Sequence, residues 1–194
     1  MRKSSFALLA LAAAAVLSTG AAQAQSAAYA IDPTHTFVTF EIGHFGATTN
    51  RGRFDKKEGT VELDRAAKSG KVQITFDIGS VNTGVDGMNK HLLGEDFFNA
   101  AKWPQAKFVG DKFTFDGDKV TAVAGQLTLK DKTAPVTLTA KHFNCYQSPM
   151  LKREVCGGDF ETTIDRTQWG IDYGLAWGFP KEVKLIIQVE AVRQ

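Results

Sequence analysis

The chain reads as an all-β protein, an eight-stranded antiparallel up-and-down barrel with a short helical insertion. Three observations predict this fold: apolar residues alternate with polar ones along most segments, short turns separate those segments, and one stretch alone has helical character. Strands with a single apolar face must either sandwich or close, and eight of them joined by short turns favour closure. A barrel of that size either fills itself with side chains or holds one small ligand.

The elements follow in order. In Thr36–His44, Val38, Phe40, Ile42 and His44 share one face, while Thr39, Glu41 and Gly43 share the other. Val72, Ile74, Phe76 and Ile78 alternate with Lys71, Gln73, Thr75 and Asp77. At the end of the chain Val183, Leu185, Ile187, Val189 and Ala191 repeat the pattern. Asp116-Gly117-Asp118 predicts a tight hairpin, and Lys130–Thr133 a second one. Strands are expected at roughly 31–44, 52–64, 71–80, 106–115, 119–129, 134–144, 155–166 and 182–193. Between Asp86 and Ala101, Met88, Leu92, Leu93, Phe97 and Phe98 suit one or two short helices, which Pro104 ends.

The N-terminus predicts export. Arg2 and Lys3 precede an apolar run from Phe6 to Leu17, then Ala22-Gln23-Ala24, the three-part layout of a secretory signal peptide cleaved after Ala24. That run of about twelve residues is too short to cross a bilayer of roughly 30 Å, so stable membrane insertion is not expected. Residues 25–194 then form one exported domain. Loss of Arg2 and Lys3 turns 23 basic against 21 acidic residues into 21 against 21. A neutral mature chain gives no case for nucleic acid or an anionic membrane as partner. Cys145 and Cys156 are the only cysteines. In an oxidising compartment the pair predicts a disulfide across a loop-like stretch, with two free thiols as the alternative.

Local signatures of catalysis, cofactor binding or metal binding are missing: there is no glycine-rich phosphate loop, no His-Glu-x-x-His and no Gly-x-Ser-x-Gly. His35, His44, His91 and His142 show no ligand spacing. The expectation is therefore no cofactor, no metal and no enzyme. The positive signal is aromatic: of fourteen phenylalanines, thirteen remain once Phe6 leaves with the signal. They either form a core or line a cavity. Gly125, Ala140 and Thr162 are small inward-facing positions that would keep the centre open. His44 is expected to point inward near a strand end, either bonded to a neighbour or touching a ligand head group. His91 falls in the insertion that caps a barrel mouth.

Asp32-Pro33-Thr34-His35-Thr36, His44-Phe45-Gly46 and Gly52-Arg53-Phe54 open the chain as in the YceI-like family. Ser80–Thr83, Lys90-His91-Leu92, Asp96-Phe97-Phe98 and Trp103–Phe108 continue the match in order and spacing. The resemblance covers nearly all of residues 29–192. It implies a lipocalin-like barrel with a long apolar tunnel for a polyisoprenoid or other long-chain amphiphile, such as an isoprenoid quinone, carried or stored in the periplasm. A homodimer is also implied. Where family members often carry Arg-Asp, this chain has Asp86-Gly87-Met88-Asn89, which weakens the case for a pyrophosphate ligand relative to a quinone. The cysteines would staple the connection Phe143–Cys156 at one end.

The expected tunnel residues are Val38, Phe40, Ile42 and His44 from the first strand and Phe54, Val72, Ile74 and Phe76 from the next two. His91, Leu92 and Phe97 come from the insertion, and Phe108, Leu127, Leu138, Phe160 and Trp169 from the second half. Two other readings stand beside this one. A lipid- or quinone-modifying enzyme would use His44 or His91 as acid/base. A docking module for a membrane redox partner would present Trp169–Trp177, a run that otherwise plugs one barrel end.

Overall fold

The computed structural model describes residues 26–194; the expected signal peptide lies outside them. Eleven strand segments form one antiparallel sheet: β1 (Ala27–Ile31), β2 (Phe37–His44), β3 (Thr48–Phe54), β4 (Lys57–Asp64), β5 (Ser69–Asp77), β6 (Val81–Asn82), β7 (Gln105–Asp116), β8 (Lys119–Leu129), β9 (Lys132–Gln147), β10 (Glu154–Asp165) and β11 (Glu182–Arg193). One helix, α1 (Asp86–Leu93), follows β6.

The eleven segments make eight staves. β1 and β2 both pair with β11, at opposite ends of it, so they are one stave interrupted at residues 32–36. β4 pairs with β1 and β3 with β2, giving a second interrupted stave. The third runs through β5, a 3₁₀ turn at Ile78–Ser80 and β6. The remaining five staves are unbroken. Pairing of β1 with β11 closes the ring, which removes the long free edges an open sheet would expose and leaves only short β6 unpaired on one side. Consecutive staves are neighbours throughout, the up-and-down order expected from the short turns.

Two of the three interruptions, the first and the third, are local side-chain chemistry. Asp32 accepts hydrogen bonds from the Thr34 amide (2.8 Å) and hydroxyl (2.6 Å), an Asx turn beside Pro33. Thr36 is fully buried and bridges to β11, its hydroxyl donating to the Glu190 carbonyl and accepting from the Glu190 amide, both at 3.2 Å. At the third break the Asp77 carboxylate accepts from the Gly79 amide at 2.8 Å.

Asp32 also meets His35 Nδ1 at 2.7 Å. Burial pushes the Asp32 carboxyl up, but the hydrogen bonds from His35 and Thr34 outweigh it and hold the carboxyl at about 2. His35 moves up from its ordinary value because of that hydrogen bond and the carboxylate charge. The lowered Asp32 value contributes stability above pH 3.8 that is lost as pH falls towards about 2. The raised His35 value contributes stability below pH 6.5 that is lost as pH rises through the folded value. Thermal melts of wild type and His35→Gln between pH 3 and 9 should therefore differ most between roughly pH 4 and 6.5. A gap independent of pH would contradict this pairing.

Cys145 and Cys156 form a disulfide. The sequence suggested a loop-like stretch, but both cysteines lie within strands. β9 and β10 continue past them, the two cysteines face each other as cross-strand partners with Cα atoms 4.0 Å apart, and the connection shrinks to residues 148–153. For a separation of 11 residues the chain-entropy model gives about 3 kcal/mol. Reduction should lower Tm by roughly 6–12 °C for a domain of this size. The Cys145→Ser/Cys156→Ser variant should melt at the reduced value and ignore reductant.

Candidate functional site

The strand ends divide the barrel into two poles. One pole holds α1, residues 94–104 and the long β10–β11 connection. The opposite pole holds the hairpins between β7 and β8 and between β9 and β10, and an ion network in which Glu154 joins Arg65 (2.6 Å) and Arg193 (3.2 Å). At the first pole β6 has no strand neighbour beyond β3. The connection through α1 fills the gap between β6 and β7. Asn89 anchors it by accepting from both the amide and the hydroxyl of Thr83 at 2.8 Å.

Two apolar cavities occupy the bore. Counting the space open to solvent at their edges, the upper, below α1, spans about 1130 Å³ and the lower about 640 Å³. Ile74, Phe108, Leu138 and Ile187 border both, so these four side chains form the waist between the chambers. The waist has a backbone cause. Gly110 and Gly125 are direct partners on β7 and β8. A Cβ on Gly125 would lie 2.8 Å from the Phe108 ring, and one on Gly110 would lie 3.0 Å from it. The Phe108 ring therefore packs into the space that side chains at this glycine pair would fill. The small residue at 125 does not leave the centre open as the sequence suggested, because the aromatic ring takes the space.

Of the expected tunnel residues, Val38, Phe40, Ile42, Phe54, Ile74, Phe76, Leu92, Phe97, Phe108, Leu127, Leu138 and Trp169 line the upper chamber. Val72 and Phe160 line the lower one. His44, expected to point inward, and His91, expected in the insertion that caps the mouth, both belong to the expected tunnel residues; neither lines a chamber, which corrects that placement. His44 is on the inward-facing parity of β2 but at its last residue, where its ring stacks edge-on against Phe45 (4.9 Å) and Phe179 (5.3 Å). His91 is on α1 beside Leu92, yet only Leu92 faces the chamber; the imidazole packs against Phe97 and Tyr173 and sits 3.7 Å from Asp96.

The run from Trp169 to Trp177 divides. Trp169 is 1% exposed and its indole N–H donates to the Leu127 carbonyl at 3.0 Å. Ile171 is buried beside it, and both plug the pole. Trp177 is 61% exposed, and Phe45, on the β2–β3 turn, is 59% exposed. These rings belong to aromatic clusters at the mouth, Phe45 against Phe179 and Trp177 against Tyr173.

The structure adds wall residues that the sequence reading did not place in the tunnel. Val183, Leu185 and Ile187 could have been found, since β11 alternates cleanly. So could Ile78, which continues the Val72, Ile74, Phe76 face; Phe98, Ile164 and Arg166 could not, because they lie at stave ends or in the connections. Among the described residues no helix is long and apolar enough to cross a membrane.

A closed antiparallel barrel with two apolar chambers in its bore and a helix-covered mouth defines the class: a small β-barrel built around an internal apolar site. The YceI-like domain model matches residues 29–191, and the chain belongs to that family. It is 37% identical to Protein YceI of Escherichia coli O6:H1 over 90% of this chain and 91% of that one. Protein YceI of Salmonella arizonae is 37% identical over 94% of each. Among solved structures, BcnA of Burkholderia cenocepacia superimposes with a TM-score of 0.68 at 25% identity, covering 82% of this chain and 98% of that one. A polyisoprenoid binding domain from Saccharophagus degradans shares the fold, with a TM-score of 0.62 at 17% identity over 87% of this chain and 99% of that one.

Proposed function

We propose that this protein binds a polyisoprenoid or another long-chain amphiphile, such as an isoprenoid quinone, inside the barrel and carries or stores it in the periplasm. On this reading residues 1–24 are the export signal, removed after Ala24. The observation that carries the proposal is the pair of apolar chambers meeting at one waist, with hydrocarbon side chains on nearly every wall position. An isoprenoid chain offers only apolar surface, so its affinity comes from area withdrawn from water, at about 25 cal/mol per Å². Each additional methylene is then worth about 0.8 kcal/mol, which favours long chains and discriminates weakly between similar ones. The position of His44 and His91 outside the chambers supports carriage over acid/base chemistry on a chain held within.

Titration with isoprenoid alcohols of rising length, followed by the intrinsic fluorescence of the three tryptophans, tests the proposal. Affinity should climb with each isoprene unit until the lower chamber is full and then level off. An affinity independent of length would remove the tunnel as the binding site.

A further inference from the structure

Among the described residues, Phe45 and Trp177 are the most exposed large apolar side chains at the pole covered by α1; Leu175 and Val85, the residue before α1, are exposed there too. Phe45 and Trp177 stand on two loops that meet. Phe45 is on the β2–β3 turn and its ring packs on Phe179 at 4.7 Å, and the Phe179 amide donates to the Gly174 carbonyl at 3.1 Å. Leu175–Trp177 form a 3₁₀ turn held between Gly174 (φ 83°) and Gly178 (φ 90°), left-handed positions that suit glycine. The Trp177 amide donates to the Gly174 carbonyl and the Gly178 amide to that of Leu175, both at 3.0 Å, so a closed backbone frame presents Trp177. Phe45 is itself at φ 51°, a region that asparagine or glycine enters more readily than phenylalanine. Neither burial nor backbone preference accounts for an aromatic ring at that position.

The exposed rings are continuous with the bore. Trp177 packs edge-on against Tyr173 at 5.2 Å, Tyr173 meets Phe97 at 5.1 Å, and Phe97 is in the wall of the upper chamber. Met150 and Leu151 are exposed as well, but in the β9–β10 hairpin at the opposite pole, which they share with the Glu154 ion network. Around the rings charge is balanced: α1 carries Asp86 and Lys90, and Lys181 pairs with Asp165 at 3.1 Å. We infer that this aromatic rim is a bilayer-docking surface, which seats the barrel mouth on the head-group layer of a lipid membrane. The inference rests on the reading that the bore holds a long apolar chain, because that reading names the occupant. Such a chain resides in a bilayer, and crossing water would cost it all the apolar contact it has there. Tryptophan and tyrosine suit the head-group layer, with an apolar ring body and a polar tip, and phenylalanine adds apolar area. Attachment by a few rings is reversible and nearly indifferent to salt and to lipid charge.

The test uses the mature protein and sucrose-loaded vesicles of phosphatidylcholine, alone or mixed with phosphatidylglycerol. Wild type should sediment with both, with partition within twofold between them and between low and high salt. Phe45→Ser/Trp177→Ser should lower partition at least tenfold, and Met150→Ser should leave it unchanged. Lipids brominated near the top of the acyl chain should quench wild-type tryptophan fluorescence. Trp177→Phe should lose most of that quenching while still binding, and this arm decides even if the double serine variant does not fold. Wild type that takes up geranylgeraniol added from ethanol yet stays off the vesicles would overturn the docking surface and leave the tunnel standing. Binding that requires phosphatidylglycerol or vanishes in salt would also overturn it, as would quenching unchanged in Trp177→Phe. So would a dimer in sedimentation velocity that the double variant abolishes, because the rim then belongs to a second copy. Vesicle binding without any uptake of geranylgeraniol would uphold the docking surface and remove the tunnel.

Discussion

Leu138→Trp is expected to lower affinity for long isoprenoid chains by about a hundredfold while leaving short chains bound nearly as well as in wild type. Leu138 borders both chambers and is only half-buried, so a larger ring there turns into the waist beside Phe108. A chain that can no longer pass loses the apolar contact of every carbon below that level. Four excluded methylenes, at about 0.8 kcal/mol each, amount to about 3 kcal/mol, or roughly two orders of magnitude in Kd. The overpacked side chain itself costs typically 1–3 kcal/mol of stability, which a thermal melt would register separately. The diagnostic feature is the break in the length series. Equal losses for short and long chains would mean that Leu138 matters for folding and not for passage.

The second large effect concerns the plug. Trp169→Ala should destabilise the protein by roughly 3–5 kcal/mol, the usual cost of removing a buried indole. For a domain of this size that corresponds to a fall in Tm of roughly 6–20 °C. Trp169→Phe keeps most of the packing and loses the bond to the Leu127 carbonyl, worth about 1 kcal/mol. The two variants therefore separate packing from hydrogen bonding. If Trp169→Phe were as damaging as Trp169→Ala, the carbonyl bond and not the ring volume would be what seals the pole.

Much of the barrel was legible because a stave with one buried face writes its period into the sequence. The strands expected at 119–129 and 182–193 are β8 and β11 to the residue. The interrupted staves were less visible. A single strand at 31–44 hides the turn at Asp32–Thr36, because Thr36 fits the polar-apolar rhythm while its hydroxyl bonds to Glu190. The Asp-Pro-Thr signal was present in the sequence but read as family pattern, not as a backbone break.

For the site, periodicity reports which face a side chain takes and says nothing of its height along the barrel axis. Ile42 and His44 have the same parity on β2, yet Ile42 lines the chamber and His44 lies beyond its rim. Leu92 and His91 differ by one position on α1 and part in the same way. Arg166 illustrates the opposite failure. A lone arginine at a strand end reads as a solvated side chain, and only the fold of the β10–β11 connection encloses it.

The most direct measurement is mass spectrometry of an organic extract of the protein, purified from its own host without detergent. A long-chain amphiphile should co-purify at close to one molecule per barrel, and protein stripped of it should take up an added isoprenoid at the same ratio. A clean extract together with stripped protein that takes up no isoprenoid would contradict the account.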